Sequence, residues 1–146
     1  MLKINVLQND DELLREVLIN AFKECKTDVE ISQDSDVCIF SASTPNSMCT
    51  SKIAISPDAK NISTDAVEII TYGLCCKNTL TISSYIENRM VISLQRSVKT
   101  LNGNEVEVQD FPVIISDPDE PELVLAAVAT LIVCDVPISQ ISKLPF

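Results

Sequence analysis

Three carboxylates placed at strand ends, Asp10, Asp11 and Asp58, are the side chains best suited to hold a hard cation. Oxygen ligands of this kind suit Mg²⁺, which keeps several of its waters. A simpler role competes at the first two. Asn9 to Asp11 stand directly before an amphipathic run, and Asn9 with Glu12 has the spacing of a capping box. Acids there also complement the positive end of a helix dipole, so capping is the preferred reading and no metal site is expected. A second polar set, Ser43, Thr44, Asn46, Asp58 and Tyr72, also falls at strand ends. Ligands of open α/β sheets bind beyond the carboxyl ends of the strands, so these five are the expected ligand contacts. Turn chemistry is the alternative for Ser43 to Asn46. Met48, in the same loop, is the expected apolar anchor for a protein partner, since methionine adapts to irregular surfaces.

The remaining reactive groups narrow the chemistry. The chain has six cysteines and no histidine. A Ser-His-Asp triad is therefore excluded, and Cys49 has no imidazole to serve as its base. Cys75-Cys76 has the look of a metal or redox pair, but structural zinc takes four spaced ligands. Packing as small hydrophobes is the favoured role for that pair. Arg89 and Arg96 read as surface charges rather than a phosphate clamp. No catalytic residue and no cofactor is expected.

The elements that position these groups follow from pattern. Lys3 to Leu7 is a short apolar strand. Leu13, Leu14, Val17, Leu18, Ala21, Phe22 and Cys25 then recur at helical spacing. A weak strand follows at Val29 to Ile31, then buried strands at Asp36 to Ala42, Lys52 to Ser56 and Ala66 to Gly73. The stretch Ser43 to Ser51 reads as a loop. Gly73 ends its strand, where positive φ favours glycine. From Leu80 to Ile115 the pattern turns to an antiparallel meander, with turn signals at Glu87-Asn88 and Asn102-Gly103. Glu122 to Cys134 is a helix apolar almost all round and hence interior. Ser139 is the expected cap of a last short helix carrying Ile141 and Leu144.

Composition sets the outer bounds. A chain of 146 residues with 46% hydrophobic residues forms one domain, residues 1–146, with a proper core. The formal net charge of -10 repels phosphate backbones and anionic lipid, so neither nucleic acid nor membrane is an expected partner. The start of the chain lacks the apolar core of a signal peptide, and Leu123 to Cys134 falls short of the roughly 20 residues that span a bilayer. Cytoplasmic placement and reduced thiols are expected. Homo-oligomerisation stays open.

A strand ending Ile70-Thr71-Tyr72-Gly73, then a meander, then "LVLAAVATLIVCDVPISQISKLPF" resembles the second half of the central domain of Mur ligases. These are ATP-dependent enzymes that add amino acids to the peptidoglycan precursor. The resemblance spans Ile53 to Phe146, with Asp58 in the place of an acidic segment of the family. It extends to small stand-alone proteins of Gram-positive anaerobes with similar "TISS", "ISLQR" and "LNG" segments. It implies an α/β fold: a mostly parallel, Rossmann-like and Mur ligase central-domain-like sheet, with an antiparallel β-meander and a buried C-terminal helix. The departures imply loss of activity. Where the family has a glycine-rich phosphate loop with a lysine, this chain has Gln8-Asn9-Asp10-Asp11-Glu12. Its acids repel a triphosphate. Where the family opens its helix with Gly-x-His-Asn-x-x-Asn, this chain has Asp117, Asp119, Glu120 and Leu123. The resemblance thus points to a non-catalytic, pseudoenzyme-like module that binds a protein partner, linked to cell-wall precursor metabolism. A small-ligand-binding domain and a ligase subunit completed by a partner chain are the alternatives.

Overall fold

The computed structural model describes residues 2–7, 12–32, 35–40, 48–49, 51–57, 63–64, 66–116 and 120–146. Its strands are β1 (Leu2–Leu7), β2 (Val29–Ile31), β3 (Val37–Phe40), β4 (Met48–Cys49), β5 (Ile53–Pro57), β6 (Ser63–Thr64), β7 (Glu68–Tyr72), β8 (Leu80–Ile86), β9 (Arg89–Leu94), β10 (Val98–Lys99), β11 (Glu105–Val106) and β12 (Gln109–Ile114). The helices are α1 (Glu12–Glu24), α2 (Pro121–Val133) and α3 (Ile138–Ile141).

The eight-stranded main sheet has the order β12-β9-β8-β7-β5-β3-β1-β2. Every neighbouring pair from β2 to β8 is parallel, and β8, β9 and β12 pair antiparallel. The fold is therefore α/β with a mostly parallel sheet. From β1 the chain steps to β2 on one side, then to β3, β5 and β7 on the other. This places a topological switch point between the carboxyl ends of β1 and β3.

Burial explains the strand compositions. All residues of β3 and β5 are buried, as expected for apolar strands covered on both faces. Val37, Ile39, Ile53 and Ile55 join one large hydrophobic cluster with the helices, while Cys38, Phe40 and Ala54 form a smaller one on the opposite face with Ala66 against it. Strand β9 instead alternates: Met90, Ile92 and Leu94 are buried, whereas Arg89, Val91 and Ser93 are not. That half of the sheet has one covered face.

Helix α1 buries Leu14, Leu18, Ala21 and Phe22, a single stripe at helical spacing. Helix α2 has no exposed stripe from Val124 to Val133: all ten residues there are buried. It packs on β3, β5, β7 and β8 and against α1 and α3. Its one interior hydroxyl, Thr130 Oγ1, donates to the Ala126 carbonyl at 2.8 Å, so no polar group is stranded by the burial.

Both long helices end in the same way. In α1 the N–H groups of Lys26 and Thr27 reach the carbonyls of Lys23 and Phe22, and in α2 those of Asp135 and Val136 reach Ile132 and Leu131. This is the Schellman arrangement, whose left-handed position favours glycine. Here it is held by Lys26 (φ 55°) and Asp135 (φ 66°).

Several expectations need correction. The stretch Ser43 to Ser51 contains a short strand: β4 pairs in parallel with β6, Met48 opposite Ser63 and Cys49 opposite Thr64. The meander is interrupted, since β10 and β11 leave the main sheet as their own two-stranded ribbon around the Asn102-Gly103 turn. Ser139 does not cap α3. Pro137, extended at φ -61° and ψ 141°, holds the cap position, which leaves Ser139 inside the helix. The Cys75-Cys76 pair is not core packing. Cys76 is exposed, Cys75 is half-buried, and neither joins a hydrophobic cluster, because both lie in the turn beyond β7 rather than on a strand face.

Candidate functional site

At the strand-end crevice the structure describes one of the expected contacts. Tyr72 closes β7 with its ring in the main core, and its hydroxyl donates to the Phe40 carbonyl at 2.9 Å. It is thus turned into the molecule. Beside it, Ser56 is buried and its hydroxyl donates to the Pro57 carbonyl at 3.2 Å. Gly73 takes φ 156° and donates its N–H to Leu80, closing the path from β7 to β8. Asp10, Asp11, Ser43, Thr44, Asn46 and Asp58 lie outside the described residues. Met48 is placed by its backbone alone, in β4.

A second concavity lies elsewhere and was not expected from sequence. The β10–β11 ribbon leans on the C-terminal end of α2 and the start of α3, leaving a solvent-open cleft of about 410 Å³. Its construction is local. Thr100 N–H donates to the Asn104 carbonyl at 2.8 Å and Gly103 N–H to the Thr100 carbonyl at 3.0 Å, which closes the ribbon's turn. Gly103 sits at φ 81°, where a side chain would be strained. The ribbon is then stapled to the helix end. Leu101 N–H donates to the Val133 carbonyl at 2.9 Å. The Asp135 carboxylate accepts from Asn102 N–H at 3.2 Å and from Asn104 Nδ2 at 3.0 Å.

The cleft walls combine two characters. Glu105, Glu107 and Asp135 are the acidic residues of the lining, and Thr100, Asn104 and Gln109 the neutral polar ones. Val106, Ile132, Val136, Pro137 and Ile138 supply apolar surface. No basic side chain lines the cleft among the described residues. Lys99 alternates to the opposite side of β10 from buried Thr100 and is the register partner of Glu105 across the ribbon, so the Lys99 and Glu105 side chains share one face and their charges offset there. The cleft also meets the C-terminal end of α2, which has no basic residue in its last turn and whose last carbonyls are capped by backbone N–H groups. Beside the cleft, burial pushes the Cys134 thiol well above its ordinary range, with Asp135 and then Asp36 adding to the effect.

No group of three or more His, Cys, Asp or Glu among the described residues is arranged to hold a metal ion. The signal for this site was present but spread out. Glu105 and Glu107 alternate around Val106 just after the Asn-Gly turn, and Asp135 follows α2 some thirty positions later.

No protein-family model matches this chain, and no curated protein matches it. Among the described residues, no helix is long and apolar enough to cross a membrane.

Proposed function

We propose that this chain is a non-catalytic binding module that holds a cationic, partly apolar segment of a partner protein. The observation that carries the reading is the cleft at the C-terminal end of α2, whose lining combines three acidic residues, Glu105, Glu107 and Asp135, with five apolar ones and no basic one among the described residues. Opposite charge at an interface steers encounter and fixes register, and the apolar lining residues supply the hydrophobic share of the contact. The resemblance to the Mur ligase central domain supports a Rossmann-like scaffold, a cytoplasmic setting and a tie to cell-wall precursor metabolism. The replacement of the glycine-rich loop by Gln8 to Glu12 supports the absence of catalysis.

The experiment is fluorescence anisotropy with labelled peptides of equal length: one alternating lysine and leucine, one alternating glutamate and leucine, one alternating serine and leucine. The lysine peptide is expected to bind best, and its affinity to fall with salt. Glu105→Lys with Glu107→Lys removes two rim pairs and adds repulsion, for a loss of about 1–3 kcal/mol, or roughly tenfold to a hundredfold in Kd. Equal binding of all three peptides, or an unchanged affinity in the double variant, overturns the reading.

A further inference from the structure

Cys75 and Cys76 sit on a turn beyond β7, Cys75 half-buried and Cys76 exposed. The turn is anchored from beneath. The Cys75 carbonyl accepts from Asn78 N–H at 3.1 Å and again from Asn78 Nδ2 at 3.0 Å. Asn78 and Thr79 are buried, and Gly73 N–H fixes the other side to Leu80. The other cysteines whose side chains are described are differently placed. Cys38 is buried in the small cluster, while Cys25 and Cys134 pack against the main core and have thiols pushed upward by burial. Cys75-Cys76 is therefore the accessible dithiol among the described residues. Both thiols are free.

The geometry of adjacent residues decides what such a pair takes. Consecutive Cα atoms are about 3.8 Å apart across a trans peptide. Ordinary disulfides need roughly 4.4–6.8 Å between Cα atoms, so a direct Cys75–Cys76 bond is strained and easily reduced. A large soft centre placed between the sulfurs relieves that strain, and thiolates prefer soft centres. We propose that Cys75-Cys76 is a two-thiolate site for a soft, thiophilic centre of the trivalent-arsenical class. With an arsenoxide, two S–H bonds break, two As–S bonds form, and the oxygen leaves with both protons as water. Arsenic keeps its oxidation state, so no oxidant or reductant is required.

The probe is phenylarsine oxide, titrated into the reduced full chain and read by intact mass. Stoichiometric uptake that survives excess monothiol and is reversed by a dithiol is expected. Cys75→Ser and Cys76→Ser should each abolish the monothiol-resistant adduct, and Cys25→Ser should keep it. In the wild-type chain, the adduct should protect Cys75 and Cys76 from iodoacetamide in peptide mapping, a readout independent of how the variants fold. No monothiol-resistant uptake, retention of the adduct in Cys76→Ser, or protection that maps to other cysteines overturns the site.

Discussion

The phenol of Tyr72 donates a 2.9 Å hydrogen bond to the carbonyl of Phe40, tying the end of β7 to the end of β3 across the intervening β5. A polar group at a strand end is here a structural clamp beneath the crevice. Tyr72→Phe removes the donor and leaves the ring in place. It is expected to cost about 1–2 kcal/mol, since the Phe40 carbonyl loses a buried partner. Urea denaturation of the two proteins measures this directly. An unchanged midpoint would mean that the hydroxyl serves a ligand rather than the fold.

The two Schellman turns give a matched pair of substitutions. Lys26 holds the left-handed position after α1 at φ 55° and is exposed. Lys26→Gly is expected to raise stability by about 1 kcal/mol, because glycine carries no Cβ penalty there. Asp135 holds the same position after α2, but its carboxylate also staples the ribbon. Asp135→Gly is expected to give no such gain, since the two lost hydrogen bonds offset the relief of strain. Thermal melts of both variants test the contrast.

The Cys134 thiol sets a pH dependence whose sign is fixed. Its pKa is raised in the folded chain by burial, then by Asp135 and Asp36. Above its ordinary value of 9.0 the unfolded chain loses this proton and the folded chain keeps it. Stability from this group is therefore intact below about pH 9 and falls above it, by about 1.4 kcal/mol per pH unit for one proton. Denaturation under reducing conditions from pH 8 to pH 10 should show a shallower decline in Cys134→Ala than in the wild type. Equal slopes would contradict the assignment.

Nucleotide binding gives a negative expectation drawn from Gln8 to Glu12. ATP with Mg²⁺ at millimolar concentration should leave the melting temperature unchanged. A ligand at a hundred times its Kd adds about 2.7 kcal/mol, which a melt resolves easily. A clear upward shift would show that phosphate is held by groups other than a glycine-rich loop.

What was legible in the sequence followed local pattern. Helix α1 announced itself because Leu14, Leu18, Ala21 and Phe22 share one stripe, and α2 because its apolar run has no polar face. The β8–β9 turn was marked by Glu87-Asn88, with Glu87 indeed at positive φ. The β4–β6 pair was not legible: two-residue strands are set by what lies beside them, not by their own propensity. Nor was the inward direction of the Tyr72 hydroxyl, since residue type and position say nothing of which way a phenol points. Cys75-Cys76 misled because it adjoins an apolar strand yet falls past its end. The cleft joins 100–109 to 132–138, and only the folded ribbon brings Glu105 and Asp135 into one lining.

The central claim, that the acidic cleft is where a cationic segment binds, is tested most directly by mapping backbone amide shifts. The ¹⁵N-labelled chain is titrated with the lysine-leucine peptide at low salt. Perturbations are expected to cluster at Thr100, Asn104, Glu105, Val106, Val136 and Ile138, around the 410 Å³ cleft. Perturbations confined to the β3 and β7 strand ends, around Phe40 and Gly73, would contradict the account.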